Sequence, residues 1–456
     1  MPVAYSIIQK SQLEGAHRLD AEYYQPEYLE SKSALEQLST NRLIDVAKVS
    51  DGNHGSISES FSATDGVRYL RGKDLNNFFV SDDDSIYIPE NEYLKIKRSH
   101  IFKNDVLVSI VGTIGLVSIV ADDFDKLTGN CKIAILRTKK IDPWFLSAFL
   151  ISRYGQDQLH RKVAGAVQTG IILKDLSVIQ IPDVAESEQK KVREVVEESY
   201  REQVISENLY SQAEDLLLEE LGLKSFEVED DLSYIVNLSE IKSAHRSDAE
   251  YFQPKYERIL EKIKKHNARK IGDLAKLVGH AAQSPYDEVG EIAVLAQTHM
   301  KRNLEIDTSA FDNYTIENLI KKNDKKFMLK KDDVLISSAG EPGLASVWTG
   351  DYEGRVIPGS FVTVVRFKKE VEPLYVGVFL NVSAGKLQFE RDYTGSVQQY
   401  VYPTKIKQIM IPILPRSTQQ KIADLIQKSH ETRSKAKQLL VQAKSKVEKI
   451  IETGSR

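Results

Sequence analysis

Residues 105–121 read DVLVSIVGTIGLVSIVA, and residues 333–348 read DVLISSAGEPGLASVW in the same cadence. Short apolar runs rich in Val and Ile predict buried strands, and two of them across GTIG (112–115) or GEPG (340–343) predict a hairpin whose glycines supply positive φ. A GxxG loop can also clamp a nucleic-acid backbone, and that reading stands beside the turn. A different period governs 187–223 and 417–454, where apolar residues return every three or four positions and predict long helices. The first follows Pro182, can be capped by Ser187 and stops at Gly222. The second follows Pro412 and Pro415, and Ser417 with Gln420 makes a capping box.

At 1.5 Å per residue each helix is about 50 Å long, more than a compact domain needs internally. A seven-residue seam runs along both. In the second it holds Ile422, Ser429, Ala436, Ala443 and Ile450, flanked by Ile426, Leu440 and Val447; in the first, Val192, Ser199, Ala213, Val196, Tyr210 and Leu217. Small residues inside a heptad seam describe a close-packed helix pair. Residues 186–222 hold eleven acidic against four basic residues, whereas 417–451 hold eight basic against three acidic. Opposite fields favour pairing of the two with each other, antiparallel and with pseudo-twofold symmetry.

The cadence recurs because the chain is duplicated. HRLDAEYYQPEY (17–28) returns as HRSDAEYFQPKY (245–256), and at the same offset Asp105, Gly112 and Gly115 fall on Asp333, Gly340 and Gly343. Further on, GAVQ (165–168) matches GSVQ (395–398) and Pro143 matches Pro373. So long a repeat means two whole domains in tandem, which the length of 456 residues also favours. The fold class expected is α+β, with two tandem α/β units each followed by a long helix. His17, Asp20 and Glu22 together suggest a metal site, but the interleaved Tyr and Pro favour an aromatic anchor.

Composition adds exclusions. The apolar run at 105–121 is too short and too rich in Gly and Ser to cross a bilayer, and the N-terminus does not resemble a signal peptide, so a cytoplasmic protein is expected. One cysteine, Cys131, excludes an internal disulfide framework. A phosphate loop, a nucleophile elbow and HExxH are all missing from the sequence.

Base recognition needs donors and acceptors at groove edges, chiefly Arg, Lys, Asn and Gln. The stretches where the copies disagree supply them. The first offers His54, Arg68, Arg71, Lys73, Asn76 and Asn77; the second offers Gln297, His299, Lys301, Arg302 and Asn303. Gln168 and Gln398, at the ends of the GxxQ loops, complete the candidates. The net charge of −4 argues mildly against a dedicated nucleic-acid binder, so a two-domain coiled-coil scaffold for proteins or glycans is the competing class.

The twice-written RxDAEYxxP (Arg18–Pro26, Arg246–Pro254), the DVLxS…GxxG hairpin, the GxxQ loop and the IP…Q-K opening of each long helix, in that order, resemble the specificity subunit of type I restriction-modification systems. The resemblance implies target-recognition domains at 1–184 and 224–414, with spacer helices at 185–223 and 415–456. It also implies that the chain has no catalytic site or cofactor of its own. Each domain would read one half of a split DNA site, and the helices would fix the gap. Two methyltransferase subunits carrying S-adenosylmethionine, and restriction subunits using ATP and Mg, are the partners implied.

Overall fold

A computed structural model describes residues 5–13, 18–81, 84–165, 169–226, 230–395 and 397–454. The chain divides into two compact units, Met1–Val204 with Arg433–Arg456 and Ile205–Thr432.

In the first unit the apolar runs form the strands Val106–Ser109 and Val117–Ile119, paired antiparallel with Val106 opposite Ile119. Ala47–Asp51, Ile133–Thr138, Phe78–Val80 and Leu75–Asn76 complete a six-stranded sheet. In the second unit Val334–Ser337 and Ala345–Val347 repeat the hairpin, with Val334 opposite Val347, inside a four-stranded sheet. GTIG and GEPG are the turns of these hairpins: Gly112 and Gly340 sit at φ +86° and +80°, backbone that L side chains rarely adopt.

Behind each sheet lies a helix that is apolar all round and therefore wholly internal. In the first unit it is Pro143–Ile151, capped by Asp142, whose Oδ1 accepts the N–H groups of Trp144 and Phe145 at 2.9 and 3.0 Å. Its counterpart is Pro373–Asn381. A second short helix follows each, Arg153–Arg161 and Ser383–Arg391. Each unit also has a three-stranded sheet, built around Val67–Leu70 in the first and Ile292–Leu295 in the second.

The long helices run from Glu186 to Glu220 and from Arg416 to Thr453. In the first unit Val192 and Val196 share one core cluster with Ala443 and Val447, and the Ser199 hydroxyl donates to the Ala436 carbonyl at 2.9 Å. Lys435 bridges Glu198 and Glu202 at 3.1 and 2.6 Å. In the second unit Ala213 and Leu217 pack with Ile422 and Ile426, while Tyr210 borders the cluster. There Ser206 and Ser429 exchange hydroxyl-to-carbonyl bonds at 2.9 and 2.7 Å. Small residues with satisfied hydroxyls let the helix backbones approach. Toward the C-terminus the deeply buried residue is Ile451 rather than the expected Ile450, which together with Leu440 lies at the cluster's edge.

The twin dodecapeptides seat each unit's N-terminal segment. Arg18 grips Asp20 and stacks on Tyr23 at 4.5 Å, while Arg161 covers the same ring at 4.2 Å. Arg246, Asp248, Tyr251 and Arg391 repeat the arrangement, with the two guanidinium groups at 4.6 and 4.8 Å from the ring. The Arg partners hold the Asp20 and Asp248 carboxyls below the usual carboxylate range. Asp20 is thus committed to an aromatic anchor; His17 lies outside the described residues. Among the described residues no group of three His, Cys, Asp or Glu is placed to hold a metal ion, and no helix is long and apolar enough to cross a membrane.

Candidate nucleic-acid interface

The segments expected to read DNA start from the same local structure. Val67–Leu70 leads into a 3-10 turn, Gly72–Asp74, and Ile292–Leu295 into another, Gln297–His299. A side chain three residues ahead closes each turn. Asp74 accepts the Arg71 N–H at 2.7 Å, and His299 Nδ1 accepts the Ala296 N–H at 3.0 Å.

Beyond that turn, the first unit is a set of ion pairs facing outward. Arg71 lies on Asp74 at 2.9 Å and reaches the Asp84 carbonyl; Lys73 pairs with the Asp84 carboxylate at 2.5 Å. His54 and Arg98 both bond the buried Asp51 carboxylate at 2.7 Å. Asn76 and Asn77 are exposed, and the Asn77 side-chain Oδ1 accepts the Val117 N–H at 3.4 Å. Arg68, in contrast, is buried and donates to the Ser81 carbonyl at 2.5 Å.

In the second unit Lys301 and Arg302 are exposed and pair with Asp307 and Glu341 at 3.6 and 3.1 Å. Asn303 donates to Glu305 at 3.3 Å. Gln297 is half-buried beside Gly340, and the exposed Gln398 accepts the Tyr400 hydroxyl at 2.8 Å. His299 is buried, edge-on to Phe311 at 5.0 Å; burial pushes its imidazole below the ordinary value of 6.5. The side chains of Arg68 and His299 are therefore committed inside their units. Gln168 lies outside the described residues.

Sequence reasoning missed what anchors the 301–303 segment. The Tyr210 hydroxyl and the Asn381 amide both donate to the Arg302 carbonyl, at 2.8 and 3.0 Å, and His430 Nε2 lies 2.9 Å from the Asn303 carbonyl. These three side chains come from both long helices and the buried helix Pro373–Asn381. The next residue, Leu304, takes φ +68°, as Phe78 takes +79° in the first unit, and both side chains plug into the core. Nothing in a polar run such as KRN signals that its carbonyls are clamped.

The family model for the type I restriction modification DNA specificity domain matches twice, over residues 36–214 and 264–443. The chain belongs to that family. A specificity chain so matched has both repeats, with most of both long helices, inside the family pattern. It is 30% identical over 151 residues to the specificity subunit of the type I restriction enzyme EcoBI of Escherichia coli; that stretch is 32% of this chain and 31% of that subunit, so under a third of the relative's length is spanned. Among solved structures, the type I S subunit from M. genitalium aligns over 91% of this specificity chain and 95% of its own, at 13% identity and TM-score 0.41. The HsdS subunit from Thermoanaerobacter tengcongensis aligns over 92% and 97%, at 14% identity and TM-score 0.30.

Proposed function

We propose that this chain is the DNA-reading subunit of a cytoplasmic type I restriction-modification assembly. Each unit reads one half of a split, asymmetric site through exposed or half-buried side chains: His54, Arg71, Lys73, Asn76 and Asn77 in the first, and Gln297, Lys301, Arg302, Asn303 and Gln398 in the second. The long helices pair antiparallel as a coiled coil that sets the gap. Chemistry belongs to partners, two adenine methyltransferase subunits using S-adenosylmethionine and ATP- and Mg-dependent restriction subunits, and this chain carries no catalytic site. The observation that carries the reading is one family fold present twice, with equivalent turns bearing different polar side chains. Two copies that kept a scaffold and changed its outward groups suit two unlike half-sequences. The seam contacts of Val192, Ser199, Ala213 and Ile422 within each unit support the helix pairing.

Methylome sequencing of cells expressing the chain with its cognate methyltransferase tests this. The expected result is one modified motif made of two unrelated half-sequences around a fixed gap. A contiguous or palindromic motif, or none, overturns it.

A further inference from the structure

Three pairs of backbone positions occupy the same place in the two units and carry opposite chemistry. The first pair opens the 3-10 turn: Gly72 in one unit, Gln297 in the other. The second is Lys132 and Phe361, whose carbonyls accept the N–H that follows the hairpin's first strand, from Ile110 at 2.9 Å and from Ser338 at 2.7 Å. The third is Gly170 and Tyr400, which bridge Val111 and Ala339 beside the same hairpin turn.

These positions cluster. A Cβ on Gly72 would lie 3.6 Å from the Lys132 Cβ, and the Gln297 Cγ lies 3.6 Å from where a Cβ on Gly340 would be. Phe361 and Tyr400 hold their rings 6.2 Å apart, and Tyr400 orients Gln398. The Ser360 hydroxyl donates to the Gln283 side-chain Oε1 at 3.1 Å, bringing a further amide to the same strip. Phe361 is 45% exposed, just ahead of the buried strand Val362–Phe367. The strip in the second unit thus offers amides and aromatic edges with no formal charge, whereas the first unit offers a small-residue floor and the exposed Lys132.

We infer that these three positions determine base specificity in each unit, and that the second takes A·T pairs through Gln297 and Phe361 while the first takes G·C through Lys132. A glutamine amide matches the acceptor and donor of adenine in the major groove, an aromatic edge suits the thymine methyl, and a lysine suits the two acceptors of guanine. The strip carries no cationic group and so adds little to the salt-dependent attraction of phosphates. This rests on the DNA-reading function proposed above and adds which positions read and what class of base pair each accepts.

The test is methylome sequencing of the full chain with its methyltransferase, comparing wild type, Gln297→Ala and Phe361→Lys. Gln297→Ala truncates a half-buried side chain at its Cβ without adding bulk or charge, and so guards against a folding failure of the other variant. Each variant should relax an A·T position of the second half-site, with modification of wrong-base sites rising roughly 5- to 150-fold, the range one good base contact commands. The first half-site stays unchanged. A second half-site of unaltered sequence and stringency in both variants overturns the inference, as does a change in the first half-site or a uniform loss of modification. A wild-type chain that yields no bipartite motif overturns the proposed function itself.

Discussion

Asp105 and Asp333 hold matched places and do the same work with the same chemistry. Arg137 binds Asp105 through two nitrogens, at 2.8 and 2.7 Å, and donates to the His100 carbonyl; Arg366 binds Asp333 at 2.7 and 2.6 Å and donates to the Met328 carbonyl. Asp74 and His299 also hold matched places and do the same work, but one is a carboxylate and the other an imidazole. The contrast shows how the repeat diverged. Where a buried charge meets its partner, geometry leaves few substitutes; where only one acceptor is needed to close a turn, any side chain of suitable reach serves, and the neighbouring outward residues are free to change.

The largest effect should come from breaking the shared pair. Arg366→Ala leaves the fully buried Asp333 carboxylate without its cation, and removing one partner of such a pair costs about 3–5 kcal/mol. Arg137→Ala should cost less, because the Arg137 side chain is 41% exposed against 21% for Arg366, and water already screens part of its interaction. Denaturant unfolding of both variants measures the order. Equal losses, or a larger loss at Arg137, would break the claim that the second pair is the more deeply committed one.

A smaller effect tests the clamp on the 301–303 segment. Asn381→Ala strips donors from the Arg302 and Ala345 carbonyls and an acceptor from the Ala345 N–H, all inside the second unit, at a cost of roughly 1–3 kcal/mol. His430→Ala removes only the contact to the Asn303 carbonyl and should cost less. Both should loosen discrimination at the second half-site and leave the first intact, as read by the sequences modified in cells. A change confined to stability would mean that the clamp supports the core without positioning the reading segment.

How much of this was legible in the sequence follows from distance along the chain. The long helices and both hairpins declare themselves locally, through caps, heptads and Val/Ile runs around GxxG. The Asp105–Arg137 pair does not, because its members meet only once Ile133–Thr138 lies beside Val106–Ser109 in the sheet, with Leu136 opposite Val106. His299 reads as one more solvated residue in QTHMKRN; only the turn after Ile292–Leu295 aims it inward. Phe361 was invisible for the opposite reason. In GSFVTVV it looks like the first core residue of a strand, whereas the buried strand begins one residue later at Val362 and the Phe361 ring lies at the surface.

The smallest effect concerns the divergent cap. His299 accepts the Ala296 N–H only while its Nδ1 is unprotonated, and burial lowers its affinity for a proton, outweighing Asp312 at 4.0 Å and Asp307, which favour the charged ring as Lys301 opposes it. The folded state therefore binds this proton less readily than the unfolded chain. That contribution to stability is fully present above the ordinary imidazole value of about 6.5 and is lost as the pH falls through the lower folded value. His299→Asn keeps an acceptor but cannot titrate. Thermal melts from about pH 8 to about pH 5 should show wild type losing stability relative to the asparagine variant only in the acidic part of the range. Parallel curves would mean that the imidazole is not held neutral by its burial, and that the two caps differ in shape but not in their response to protons.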